Sequence, residues 1–142
     1  MFKTILICSD GSDYSLRAIH VAADLAGRYE AELVLLTTAE TDGAAGQSYT
    51  GLQLSNQIDT MLEAQSEIES RGSAVLSSIG AEFRTRREQG HPVDRIVTVA
   101  RDEEADLIVI GARGQSTFSA LLVGSVSAGV VQHAPCPVLI VK

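Results

Sequence analysis

Short apolar runs of strand length alternate with helical patterns along all 142 residues, and this alternation constrains the fold more than any other feature. Three runs, Lys3–Ser9, Leu33–Thr38 and Leu107–Ile110, are rich in Ile, Leu and Val and show no regular apolar–polar alternation. Strands with one face in water alternate apolar with polar residues, whereas strands covered on both faces read as continuous apolar runs. These runs therefore predict a parallel sheet with helices on both sides.

The remaining segments complete a β-α-β-α-β-α-β-α-β order. They are a helix that ends near Gly27, a long amphipathic helix over Leu54–Ile79, a polar strand over Glu82–Glu88, a helix opened by Pro92, a short helix over Gly124–Gln132 and a final strand over Val138–Val141. The stretch 39–51 is predicted as a mobile loop, and 111–123 as irregular. We predict one Rossmann-like α/β domain over residues 1–142, with an open five-stranded parallel sheet of order 3-2-1-4-5 and the polar third strand at an edge.

Composition excludes several function classes. The chain has 11 basic and 18 acidic residues, and its net charge of −7 argues against binding to nucleic acid or anionic lipid, which need a basic surface. Cys8 and Cys136 give neither a disulfide framework nor a zinc motif, and we interpret Cys8 as a small core residue. The acidic run Asp102–Asp106 is interpreted as solvated surface. With no signal peptide and no apolar stretch of membrane-spanning length, we expect a cytoplasmic protein without membrane contact.

Two segments at the ends of predicted strands carry the most site-like residues. Ligands of open parallel sheets bind past the carboxyl ends of the strands where the strand order reverses, here between strands one and four. Asp10–Ser12 follows strand one, and Gly111–Gly114 follows strand four. Asp10 is either a ligand contact or an Asx turn ahead of the first helix. Arg113 is either a phosphate contact or a solvated loop residue.

The second segment continues as a glycine pattern, Gly111-x2-Gly114-x9-Gly124-Ser125. Glycine lets the backbone turn sharply and brings amide groups close to a ligand. Gly124 and Ser125 open a predicted helix, whose free amides and dipole favour an anion such as phosphate. The spacing predicts a phosphate site, and the alternative is a turn-rich connection that only reverses the chain.

This pattern, the opening strand that ends in Asp10–Ser12 and the closing segment Ala134–Val141 strongly resemble the universal stress protein family. The resemblance spans essentially the whole chain and includes Gly90–Pro92 and Ala105–Gly111. The glycine pattern is that of the family's ATP-binding branch. The resemblance therefore implies an ATP site, with Mg²⁺ or Mn²⁺ on the phosphates.

By position, the resemblance also assigns site residues. Asp10 would face the ribose or the adenine, and the backbone near Thr38 would meet the adenine edge. The ribose and phosphates would be held by Gly111, Gly114, Gly124 and Ser125, with Arg113, Gln115 and Ser116 as further candidates. Two segments depart from the family pattern: Ile7–Ser9 stands where small apolar residues or Pro are more usual, and Thr37-Thr38 replaces a His-Val type pair.

The resemblance further implies a homodimer joined through the last strand, Val138 to Val141, as an apolar edge strand needs a partner or a cover. We expect a nucleotide-responsive regulatory module that acts on an unknown protein partner, with slow or no ATP hydrolysis, and not an enzyme. One alternative is a stress protein that works as a dimeric scaffold without nucleotide. Another is a nucleotide-activating enzyme of the PP-loop type, suggested by Ser9–Tyr14, although Asp10 and Tyr14 stand where those enzymes carry Gly and Ser.

Overall fold

A computed structural model describes residues 1–40, 50–113 and 123–142. The elements in chain order are β1 (Thr4–Cys8), α1 (Asp13–Tyr29), β2 (Glu32–Ala39), α2 (Gly51–Ser78), β3 (Phe83–Gln89), α3 (Pro92–Asp102), β4 (Leu107–Gly111), α4 (Ser125–His133) and β5 (Val138–Val141). All neighbouring strands pair in parallel, and their order is β3-β2-β1-β4-β5. The predicted fold class, strand order and edge position of β3 are confirmed.

The apolar runs supply two cores, one on each side of the sheet. Alternate residues of a strand point to opposite faces. Ile5 and Ile7 pack with residues of α1 and α2, whereas Leu6 and Cys8 pack with residues of α3 and α4. The same alternation holds in β2 and β4, so both faces of these three strands are apolar. Each fully buried Ile or Leu contributes roughly 1.5–3 kcal/mol relative to an exposed one.

Several element ends differ from the predicted ones for local reasons. Helix α1 continues past Gly27 and ends where Glu30 takes a left-handed conformation with φ of 55°. Ala39 belongs to β2, since it pairs with Gln89 of β3. The predicted loop also ends earlier, because Thr50 caps α2 through a reciprocal capping box with Gln53. Residues 41–49 lie outside the described part of the chain.

Three more ends shift by a residue or two. Ile79 is the C-cap of α2 and not part of it. Gly111 is the last residue of β4 and pairs with Val141, so the predicted irregular stretch begins after it. Helix α4 begins at Ser125, with Gly124 as its N-cap, and runs to His133. Sequence patterns set such ends only approximately, because caps and strand pairing decide them.

The interpretation of the acidic run Asp102–Asp106 as solvated surface is corrected, because two of its side chains bond other parts of the chain. The Glu103 carboxylate bonds Arg84 and, at 3.1 Å, Arg86, both from the edge strand β3. The Asp106 carboxylate accepts hydrogen bonds from the backbone N–H groups of Lys3 and Thr4 at 2.7 and 2.9 Å. These acids therefore tie α3 and the start of β4 to neighbouring strands. Among the described residues, none of the helices has the length and hydropathy needed to cross a membrane.

Candidate functional site

A cavity of about 480 Å³ lies at the carboxyl ends of the strands, on the side of the sheet covered by α3 and α4. It is bounded by the ends of β1, β2 and β4 and by the starts of α3 and α4. Its described lining is Cys8, Ser9, Asp10, Ser15, Leu36, Thr38, Glu40, Pro92, Ile96, Ile110, Gly111, Arg113, Gly124, Ser125, Val126 and Ser127. We call it the C-terminal cavity. Its volume falls in the range of small-molecule sites, about 300–1,000 Å³.

At the end of β1, Asp10 forms the turn that leads into α1. Its Oδ1 accepts a hydrogen bond from the backbone N–H of Ser12 at 3.0 Å, which is the Asx turn named as one of its two interpretations. Gly11 follows with φ of 81°, a conformation that favours glycine. Asp10 also lines the C-terminal cavity, so it can form this turn and still contact a ligand there.

The end of β4 lies against the first turn of α1. A Cβ at Gly111 would come within 2.8 Å of Tyr14 Cβ and 2.9 Å of the Tyr14 carbonyl carbon. Glycine is therefore required here because the helix backbone approaches the strand closely. The same contact brings the β1–α1 turn beside the residues that follow β4, where the Ser12 hydroxyl donates to the Arg113 carbonyl at 3.5 Å.

Gly124 fixes the start of α4 against the chain that leaves β4. Its N–H donates to the Ala112 carbonyl at 2.6 Å, and the same carbonyl accepts from the Ser127 hydroxyl at 3.0 Å. A Cβ on Gly124 would lie 3.3 Å from that carbonyl oxygen, a tight contact. The Gly124 N–H is thus committed within the protein. The amides that α4 presents to the cavity are those of Ser125, Val126 and Ser127.

Helices α1 and α4, which both begin at this edge of the sheet, differ in their capping. Helix α1 is capped by Ser12, whose Oγ accepts from the N–H of Ser15 at 3.2 Å. The N-cap of α4 is Gly124, which has no side chain, and no side-chain hydrogen bond caps this helix among the described residues. The first turn of α4 therefore keeps donors that a ligand oxygen can satisfy, with the positive end of the helix dipole behind them.

Strand β2 extends past β1 and presents main-chain groups to the cavity. The Leu36 carbonyl accepts from the N–H of Ser9 at 3.0 Å, so the main-chain groups of Leu36 face β1. Along a strand these groups return to the same side every second residue, so those of Thr38 face the same way. The last β1 residue paired with β2 is Cys8, opposite Leu36. The N–H and C=O of Thr38 therefore point into the space beyond the end of β1.

The wall of the cavity toward α3 is apolar, with Leu36, Pro92, Ile96 and Ile110 in the lining. Cys8 belongs to this wall, and burial raises the pKa of its thiol far above the ordinary value. Cys8 therefore stays a neutral thiol at physiological pH, in agreement with its interpretation as a small core residue. The cavity thus has an apolar side suited to a planar base and a polar side at the start of α4.

The structure brings six of the seven predicted site residues around this one cavity: Asp10, Thr38, Gly111, Arg113, Gly124 and Ser125. Gly114 lies outside the described residues, as do Gln115 and Ser116. Sequence reasoning missed the cavity positions of the other described lining residues: Cys8, Ser9, Ser15, Leu36, Glu40, Pro92, Ile96, Ile110, Val126 and Ser127. Pro92 and Ser127 carried a signal, because Pro marks a helix start and Ser127 is two residues past the glycine pattern.

A second cavity, of about 430 Å³, lies near the opposite edge of the sheet. It is bounded by the second half of α1 and the residues that follow α2, including His20, Asp24, Gly27 and Gly80. None of the predicted site residues that the structure describes lines it. It provides an internal comparison for binding experiments on the C-terminal cavity.

The universal stress protein family model matches residues 1–142. A universal stress protein of Thermus aquaticus is 35% identical over 143 residues, with 100% of each chain covered. YxiE of Bacillus subtilis, also a universal stress protein, is 33% identical over 151 residues, again with 100% of each covered. The chain belongs to the universal stress protein family, as its sequence predicted.

Solved structures of the family share the fold. UspA from Lactobacillus plantarum has a TM-score of 0.82 and 29% identity, over 99% of this chain and 98% of that one. A universal stress protein in complex with cAMP has a TM-score of 0.65 and 32% identity, over 99% and 97% of the two chains. A universal stress protein from Archaeoglobus fulgidus in complex with dAMP has a TM-score of 0.74 at 23% identity, over 100% and 98%.

Proposed function

We propose that this protein binds ATP in the C-terminal cavity and acts as a nucleotide-responsive regulatory module. The observation that carries the proposal is the start of α4, which no described side chain caps and which opens onto a cavity with an apolar opposite side. An adenine nucleotide has the matching shape, an anionic tail joined to a flat base. The relatives solved with cAMP and dAMP support the nucleotide class.

The phosphates would lie at the start of α4. The amides of Ser125, Val126 and Ser127 would donate to phosphate oxygens, with the Ser125 hydroxyl and the Arg113 guanidinium as further partners. An acidic protein can bind an anion in this way because local amides and the helix dipole act at contact distance.

The adenine would lie against the apolar wall formed by Leu36, Pro92, Ile96 and Ile110. Its edge would meet the main chain of Thr38, whose N–H can donate to N1 and whose C=O can accept from the 6-amino group. Recognition through the main chain makes the departure at Thr37-Thr38 from the usual family pair tolerable. Asp10, at the end of β1, would reach the ribose between the two ends.

Mg²⁺ fits this site as a companion of the phosphates. At the phosphate end the cavity offers the Ser125 hydroxyl, an oxygen ligand of the kind that Mg²⁺ accepts. No cluster of three or more His, Cys, Asp or Glu suited to a metal occurs in the described part of the chain. The ion would therefore be held mainly by the nucleotide, whose charge it would partly neutralise.

We expect binding rather than turnover to carry the function. The Oδ1 of Asp10 already accepts the N–H of Ser12, so this carboxylate is held as part of a turn. We expect ATP hydrolysis to run far below about 1 s⁻¹, the lower end of ordinary enzymes. Glu40 and Ser125 lie at the exposed rim, so a bound nucleotide would change the charge of a surface that a protein partner can contact.

Strand β5 is a short, apolar edge strand whose residues are half-buried or exposed, and pairing with a second copy would cover it. Sedimentation at micromolar concentration should therefore report a homodimer. The free thiols Cys8 and Cys136 fit a reducing compartment, for which we propose the cytoplasm.

The variant Ser125→Glu tests the phosphate end of the site. Ser125 is exposed and occupies the first position of α4, where a carboxylate stabilises the helix through its dipole. The same charge repels phosphate, so we expect Mg-ATP affinity to fall about tenfold or more while adenosine affinity changes little. Isothermal titration calorimetry of both ligands measures this.

Ser125→Gln is the matched neutral control and should keep most of the ATP affinity. Equal ATP affinity in both variants would show that the phosphates do not lie at the start of α4. A wild-type protein that is folded but binds Mg-ATP no better than millimolar would exclude the ATP proposal and favour the nucleotide-independent scaffold.

A further inference from the structure

We propose that Gln65 is a positioning residue for adenine recognition: its buried amide holds the end of β2 so that the main chain of Thr38 can read the base. The inference rests on the proposed function, which places adenine at that edge. Gln65 lies in the middle of α2 and does not line the C-terminal cavity.

Gln65 is almost fully buried, with 3% of its surface exposed. Its Nε2 donates to the carbonyl oxygens of Thr37 and Glu88, both at 3.0 Å. Its Oε1 accepts from Nε2 of Gln89 at 3.2 Å. One side chain from α2 therefore uses both amide hydrogens and its oxygen on the last residues of two neighbouring strands.

The hydrogen bonds of Gln65 lie at the ends of β2 and β3, next to Thr38. Thr38 of β2 pairs with Glu88 of β3, and Gln65 holds the carbonyl groups of Thr37 and Glu88 at this pair. Past Cys8, the Ser9 N–H still donates to the Leu36 carbonyl, but no described residue on the β1 side bonds the main chain of Thr38. The orientation of the Thr38 peptide is thus fixed from one side, by β3 and by Gln65.

A buried glutamine is not needed for packing alone at this place. An unbranched apolar side chain of the same length would fill the space, and buried polar groups are retained at a cost unless they are fully paired. Among described residues, the Thr37 hydroxyl is buried without a hydrogen-bond partner, whereas the Thr37 carbonyl is satisfied by Gln65. The polar contact is therefore directed to the main chain that leads into the base-reading residue.

The base preference of the protein is the readout that separates this role from simple stability. Inosine triphosphate differs from ATP at N1 and at the 6-position, where the Thr38 main chain would bond, and its phosphates are the same. We expect the wild-type protein to prefer ATP over ITP by about tenfold or more, because a mismatched edge leaves buried polar groups unpaired. Tripolyphosphate reports the phosphate end alone.

Gln65→Met keeps the length and helix propensity of the side chain and removes its three hydrogen bonds. We expect the preference for ATP over ITP to fall to about threefold or less, with tripolyphosphate affinity unchanged within about twofold. Gln57→Met, on the same helix, is the matched control, since Gln57 makes no side-chain hydrogen bond to the residues that the structure describes. It should keep the wild-type preference.

Gln89→Met is the second variant, for the case in which Gln65→Met does not fold. Gln89 is exposed, and its loss frees only Oε1 of Gln65, so a smaller fall in the same preference is expected.

A folded Gln65→Met, or in its absence a Gln89→Met, with the wild-type preference would overturn the role of Gln65. A wild-type protein that binds ATP and ITP equally would also overturn this role, while the proposal that the protein binds nucleotides would be kept. A wild-type protein that binds neither overturns the proposed function and this inference together.

Discussion

Gly111 and Gly124 belong to one sequence pattern but meet different steric needs. Next to Gly111, the first turn of α1 occupies the space that a Cβ would take. At Gly124 the neighbour is the carbonyl of Ala112, and among the residues that the structure describes no side chain caps α4 toward the cavity. The spacing pointed to both residues, but it could not show that Gly111 contacts Tyr14, which lies 97 positions earlier in the chain.

Gly111→Ala tests the packing role of this residue. The new methyl group would overlap Tyr14 at 2.8–2.9 Å, partly against backbone, so we expect a loss of about 1–3 kcal/mol in the free energy of unfolding. Gly27→Ala is the control, because Gly27 is exposed inside α1 with nothing within 4 Å of the added Cβ. It should stabilise by about 0.5–1 kcal/mol. Urea denaturation measures both, and a Gly111→Ala variant as stable as the wild type would rule out the close contact.

At the scale of elements, the period of the sequence predicts most of the fold. Continuous apolar runs gave β1, β2 and β4, because both faces of these strands pack against helices. Strand β3 follows no such rule, since arginines of this edge strand pair with acids of other elements, as Arg87 does with Glu69 of α2 at 2.7 Å. Pairs so distant in sequence leave no periodic signal. The role of Gln65 was not predicted either, because in the sequence it is one polar residue within a helical pattern.

The ion pairs of β3 give a pH-dependent contribution to stability through Glu103. The hydrogen bond from Arg84, with a further one from Arg86, lowers the pKa of this carboxyl against the opposing effect of burial. The side chain is 11% exposed. A carboxyl with a lowered pKa in the folded state stabilises the protein above its unfolded pKa of about 4.3, and the contribution is lost as pH falls through the folded value.

We therefore expect Glu103→Gln to lose about 1–2 kcal/mol at pH 7, an amount limited by the partial exposure of both arginines. The difference from the wild type should shrink as the pH falls below about 4. Glu104→Gln, at the exposed neighbouring residue, should change little at either pH. Chemical denaturation at the two pH values is the check. A Glu103→Gln deficit that is the same at both would show that the loss is not electrostatic.

At the scale of the whole molecule, the strand order decides where a ligand can bind. Order β3-β2-β1-β4-β5 places the reversal between β1 and β4, and the C-terminal cavity opens there. The sequence predicted this location from the strand order and from Asp10 and Gly111. It could not predict the apolar wall, because Leu36 and Ile96 look like ordinary core residues until the fold brings them to the cavity.

The central claim is that the C-terminal cavity holds an adenine nucleotide with its phosphates at the start of α4. A ¹⁵N–¹H correlation NMR titration of the wild-type protein with Mg-ATP tests it most directly. We expect the backbone amides of Ser125, Val126, Ser127 and Thr38 to shift most, whereas those of Gly27 and Gly80 at the second cavity stay in place. Unchanged spectra at millimolar nucleotide, or shifts centred on the second cavity, would contradict it.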